Sequence, residues 1–116
     1  MAITRSTQIQ AQAAKPDSLF FNLYTDSLKK GTYNYINVDA HFSNGRWLPM
    51  TGKELLFQSS AGHFEGNSLY LDRDTNVEKV TIKAILKADT SIVRQVVIYV
   101  KKLPDNEKLK RKEDLY

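Results

Sequence analysis

The sequence predicts an all-β domain, a sandwich of about seven short strands, and three observations carry that expectation. Apolar residues recur at every second position in several stretches, which is the period of a half-buried strand and not of a helix. Turn-forming residues break those stretches roughly every eight to twelve residues, the spacing of an antiparallel sandwich. The chain has 116 residues, 41% hydrophobic and 10% aromatic, enough for one core and too few for a second domain.

Residues 1–16 are rich in Gln, Ala, Thr and Ser and show no sustained alternation before Pro16, so a flexible lead or a short helix is expected there. The folded body is expected over residues 17–102. From Ser18 onward, Leu19, Phe21 and Leu23 share one face of a strand and Phe20 and Tyr24 the other, both apolar. Tyr33 to Phe42 reads as one long strand, because Ile36, Val38, Ala40 and Phe42 alternate with Asn37, Asp39 and His41. It ends at Ser43-Asn44-Gly45-Arg46, where Asn-Gly suits a tight type I′ turn, and the chain returns through Trp47 and Leu48. Pro49 donates no ladder hydrogen bond, which makes this return strand short or places it at an edge.

Lys53 to Ser59 has Leu55 and Phe57 in phase, followed by a break at Ser60-Ala61-Gly62; Ser68 to Leu71 then aligns Leu69 with Leu71. The longest alternation sets Val80, Ile82, Ala84 and Leu86 inward and Lys79, Thr81, Lys83 and Lys87 outward. After the turn Ala88-Asp89-Thr90-Ser91, the pattern repeats at Val96, Ile98 and Val100. These segments make about seven antiparallel strands in the immunoglobulin-like manner, and Ile36, Val38, Ile82, Ala84, Val96 and Ile98 are the expected core. Residues 103–116 begin with Pro104-Asp105-Asn106 and are strongly charged, as in a linker or a short helical tail.

Charge narrows the function classes. The net charge is +4, yet the stretch from Asp17 to Val100 carries nine residues of each sign, so the basic excess lies in the flanks. A neutral body disfavours nucleic-acid binding, and the outward Lys79, Lys83 and Lys87 read as the solvated side of a strand that deters edge pairing. No apolar stretch is long enough for a membrane span. With no cysteine, neither disulfides nor thiolate metal sites can form, and no cofactor is expected. Residues 1–15 hold no signal-peptide pattern, so the chain is expected to be intracellular or to be a mature or truncated form.

The run Ile36-Asn37-Val38-Asp39-Ala40-His41-Phe42-Ser43-Asn44-Gly45-Arg46, with Met50-Thr51, Phe57-Gln58-Ser59-Ser60-Ala61-Gly62 and Val80-Thr81-Ile82-Lys83-Ala84, resembles the bacterial Ig-like domains of surface and secreted proteins, group 2 type. The resemblance spans roughly residues 17–101 and implies a stalk, spacer or adhesion module without catalytic residues. It also implies a secreted, periplasmic or cell-surface location, with neighbouring domains or a protein as partner.

Residue chemistry adds two candidate sites. Tyr33, Tyr35 and His41 fall on the outward side of the expected long strand, with Trp47 just across the turn, and such a row of flat rings suits a protein or a carbohydrate. Asp72, Asp74 and Asn76 open like a calcium loop, but Val77 stands where the loop needs glycine and Lys83 where it needs a bidentate glutamate, which makes a solvated turn the better account. His41 and His63 lie on separate segments, and neither belongs to a constellation of nucleophile, base and orienter. The expected function is therefore a non-catalytic structural or protein-interaction module, with a carbohydrate-binding module as the alternative.

Overall fold

The computed structural model describes residues 14–102, which form ten strands and, among the described residues, no helix. In chain order these are β1 (Pro16–Phe21), β2 (Ser27–Leu28), β3 (Thr32–Tyr35), β4 (Val38–Phe42), β5 (Trp47–Met50), β6 (Leu55–Ser59), β7 (His63–Glu65), β8 (Ser68–Leu71), β9 (Lys79–Leu86) and β10 (Val93–Val100). Of the lead expected over 1–16, residues 1–13 lie outside the described residues, as does the tail expected over 103–116, and Pro16 already opens β1.

The strands form three sheets with the orders β1-β4-β5, β2-β10-β9-β6 and β3-β8-β7. All pairs are antiparallel except one: β2 runs parallel to β10, with Ser27 opposite Tyr99 and Leu28 opposite Val100. That pair corrects the expectation of a purely antiparallel fold. Leu28 is its anchor, being buried while its carbonyl accepts the Lys101 N–H.

The inner faces of all three sheets meet in a single core. Val80, Ile82, Ala84 and Leu86 of β9 are buried in the expected phase, flanked by Leu55 of β6 and by Ile98 and Val100 of β10. Opposite them lie Leu19, Val38, Ala40, Met50, Leu69 and Leu71. Of the six residues expected in the core, five are buried, and Val96 is half-buried against the cluster.

Ten strands replace the expected seven for identifiable reasons. β2 and β7 are too short, at two and three residues, to show a period. The run from Tyr33 to Phe42 is interrupted at Ile36-Asn37, because β3 pairs with β8 whereas β4 pairs with β1 and β5. The buried Asn67 fills the break: its backbone carbonyl accepts the Ile36 N–H at 2.8 Å, and its Nδ2 donates to the carbonyls of Ile36 at 3.2 Å and Met50 at 3.0 Å. Asn67→Ala leaves two buried carbonyls short of a donor, and we expect a loss of about 1–3 kcal/mol, measurable by urea unfolding. Asn34 does similar work at the other end of β3, accepting the Lys29 N–H and donating to the carbonyls of Lys29 and Leu69.

The Asn-Gly hairpin also differs from expectation. Gly45 N–H donates to the Phe42 carbonyl and Phe42 N–H to the Arg46 carbonyl, so the loop has three residues, Ser43 to Gly45, with Gly45 at φ 89°. This is the loop in which a glycine in the left-handed region forms a bulge, rather than the two-residue type I′ turn. Asn44 Oδ1 stabilises it by accepting the Arg46 N–H. The return strand β5 is a sheet edge, as Pro49 requires.

Candidate functional site

The outer face of the β1-β4-β5 sheet carries an ordered cluster of rings. His41 on β4 stands directly opposite Trp47 on β5, with ring centroids 4.8 Å apart. Phe20 reaches across from β1 to meet Trp47 edge-on at 5.0 Å. Arg94 from β10 places its guanidinium 4.5 Å from the centre of the Phe20 ring, a cation–π contact that joins this face to the neighbouring sheet. Trp47 is 49% exposed and Phe20 37%, so large apolar rings stay in water while their neighbours hold them in place.

Asp17 completes the cluster through a backbone irregularity. Pro16 pairs with Phe42 and Ser18 with His41, leaving Asp17 as the extra residue of a bulge, which turns its carboxylate toward the imidazole. His41 Nδ1 lies 2.8 Å from Asp17 Oδ1, and since a carboxylate only accepts, Nδ1 carries the hydrogen of this bond. The hydrogen bond from His41 holds the Asp17 carboxyl below its usual pKa, despite a smaller opposing effect of desolvation. A depressed carboxyl pKa stabilises the folded form above the unfolded-state value, and that contribution disappears as pH falls through the lowered value.

A second ring cluster covers the outer face of β3-β8-β7. Tyr33, Tyr70 and His63 stand in cross-strand register, with Tyr33 and Tyr70 centroids 5.1 Å apart and Tyr70 and His63 5.4 Å apart. Tyr35 stacks on Tyr24 at 5.9 Å and 11°. Desolvation, then the nearby Glu65 carboxylate, raises the Tyr33 phenol above its ordinary pKa.

The four expected site residues thus divide into two places. Tyr33 and Tyr35, 48% and 46% exposed, belong to the tyrosine cluster, and His41 and Trp47 to the tryptophan cluster. Asn34, Ile36, Val38 and Ala40 are buried between them, but Asn37, at the break, is buried too, so the outward row lapses between the two clusters. His41 lies six positions beyond Tyr35, roughly 20 Å at the rise of an extended chain, too far for one small ligand to touch both. Phe20, Asp17 and Arg94 were not anticipated as members of a site, nor were Tyr24, His63 and Tyr70. For Tyr70 the signal existed, since it alternates with Leu69 and Leu71. Arg94 gave none, because its role depends on two sheets meeting.

Asp72, Asp74 and Asn76 occupy the exposed link from β8 to β9, a turn in which Thr75 N–H donates to the Asp72 carbonyl. Among the described residues no group of three or more His, Cys, Asp or Glu side chains is placed to hold a metal ion. The lysine row is less uniform than expected: Lys79 is exposed, Lys83 is half-buried, and Lys87 Nζ donates to the Gly52 carbonyl at 2.9 Å. No helix among the described residues is long and apolar enough to cross a membrane.

A shallow groove of about 630 Å³ runs beside β6 and β7, lined in part by Lys53, Leu55, Phe57, Phe64 and Lys87. Phe57 and Phe64 stack in it with centroids 4.5 Å apart at 11°. Compared with models of known protein families and with curated proteins, the chain matches none.

Proposed function

We propose that this chain is an immunoglobulin-like sandwich acting as a non-catalytic structural or protein-interaction module, part of a bacterial cell-surface or secreted protein or assembly. The order of pairing supports the fold. In an immunoglobulin-type domain the third, sixth and seventh strands form one sheet and the first, second, fourth and fifth the other. Here β6, β9 and β10 take the places of the first set, while β1, the β3–β4 pair, β7 and β8 take those of the second. β2 adds in parallel to the last strand, and β5 is an additional edge strand.

The observation that carries the functional reading is the tryptophan cluster. Trp, Tyr and Arg are the side chains that most often dominate binding energy at protein interfaces, and rings already fixed by their neighbours lose little freedom on binding. Trp47 meets both conditions on an exposed sheet face, held by Phe20, which in turn packs against Arg94. Affinity capture from the source cells, comparing wild type with Trp47→Ala, tests this. A specific partner should be retained by wild type and lost or at least tenfold reduced with the variant, the effect of removing about 1.4 kcal/mol or more of binding energy, while the variant's melting temperature stays close to wild type. Equal capture by both proteins would refute the assignment.

A carbohydrate-binding reading attaches to the tyrosine cluster, because half-exposed Tyr33 and Tyr35 offer flat faces and hydroxyls side by side. On a glycan array it would appear as binding lost with Tyr33→Ala and kept with Trp47→Ala.

A further inference from the structure

The exposed edges of this fold differ in how they are protected against pairing. β5 carries Pro49, and its free edge lacks that N–H. β7 is only three residues long, with His63 and Glu65 among them, and β2 only two. β1 opens with Pro16 and Asp17, and β3 is a four-residue uncharged edge; β6 is the longest edge without charge or proline, ending its sheet with the five-residue run Leu-Leu-Phe-Gln-Ser. Uncharged edges of this kind are templates for another strand.

The hydrogen-bond phase shows which groups are available. Lys87 N–H donates to the Glu54 carbonyl and Ser60 N–H to the Thr81 carbonyl, so the even-numbered residues of this segment bond to β9. The backbone groups of Phe57 and Ser59 therefore point away from β9, toward the open side. That side is where the groove lies, with the stacked Phe57 and Phe64 at its wall. Its lining includes Lys53 and Lys87 and no acidic side chain. Lys87 uses one donor on Gly52, and an ammonium has three.

We propose that the open edge of β6 binds an extended peptide as an added strand, with an apolar side chain of the peptide against Phe57 and Phe64 and flanking carboxylates at Lys53 and Lys87. Backbone pairing gives such a site its affinity, while the groove and the two lysines select an acidic, apolar sequence. This rests on the protein-interaction reading; a silent β6 edge with Trp47-dependent capture intact would remove only this surface.

The test is an NMR titration of the full chain with a blocked octapeptide that alternates glutamate with valine and phenylalanine, and with its counterpart carrying lysine for glutamate. The glutamate peptide should shift the Phe57 and Ser59 amides and slow their hydrogen exchange, and the lysine peptide should bind about three- to tenfold more weakly, as two exposed charge pairs imply. Lys53→Glu, a surface change, should weaken the glutamate peptide severalfold without altering the melting temperature. Ser59→Pro, which removes an outward N–H and spares the ladder to β9, should abolish binding. Unmoved amides across residues 55–59, equal affinity for the two peptides, or shifts that follow protein concentration without peptide would overturn the proposal, the last by showing that a second copy fills the edge.

Discussion

Truncation of Ile82 to alanine is expected to cost about 2–5 kcal/mol, the range for a large aliphatic side chain removed from a core that cannot fully collapse. Ile82 has 0% exposure and sits mid-strand in β9, flanked by Ser59 on β6 and Val96 on β10. Its neighbours are held by ladders on both sides, so the cavity persists. Urea denaturation checks the value, with the midpoint moving and the slope unchanged. A loss below about half a kcal/mol would mean that β9 is shifted by one residue, since such a slip exchanges the buried and exposed faces.

Gly62→Ala should be the other severe substitution. Gly62 has φ 77°, and a Cβ there would press on the Tyr70 carbonyl oxygen and lie 3.0 Å from Leu71 Cδ2 and 3.1 Å from Leu69 Cδ1. The left-handed conformation alone costs an alanine about 1–2 kcal/mol, and the contact with fixed backbone adds to it, so a total above about 2 kcal/mol is expected. Gly45→Ala is the matched control: its φ is 89°, but nothing lies within 4 Å of the added Cβ. The two melting temperatures should separate clearly, with Gly45→Ala the milder. Equal effects would place Gly62 away from β8.

These two positions also show what the sequence disclosed and what it withheld. The alternation of Val80, Ile82, Ala84 and Leu86 is uninterrupted, and strand, face and core membership could all be read from it. Gly62 could be read as a break, but its closeness to Tyr70 could not, because β7 is too short to display a period. The division of Tyr33 to Phe42 into β3 and β4 was hidden for a different reason. The apolar residues Ile36, Val38 and Ala40 keep one period across the break, the burial of Asn37 between them is not legible from its polar side chain, and the change of partner depends on Asn67, far along the chain.

For the candidate site, the decisive detail is a single residue of loop length. A two-residue Asn44-Gly45 turn would pair Phe42 with Trp47 and direct the indole toward the core side. The three-residue loop pairs His41 with Trp47 and places both rings outside. Asn-Gly announces a hairpin but does not by itself choose between these loops. Asp17 was illegible for a related reason, since it reaches His41 only because β1 bulges there. Exposure of the tryptophan, and with it the proposed recognition surface, thus follows from local backbone geometry rather than from hydrophobic pattern.

Trp47 is the single tryptophan of the chain, so its fluorescence reports on that surface alone. The most direct test is acrylamide quenching of Trp47 emission, in the free protein and again in complex with the partner recovered by wild-type capture. The half-exposed ring should be readily quenched when free and strongly protected when bound. An indole that resists quenching in the free folded protein, or a complex in which quenching is unchanged, would contradict the assignment of this face to recognition.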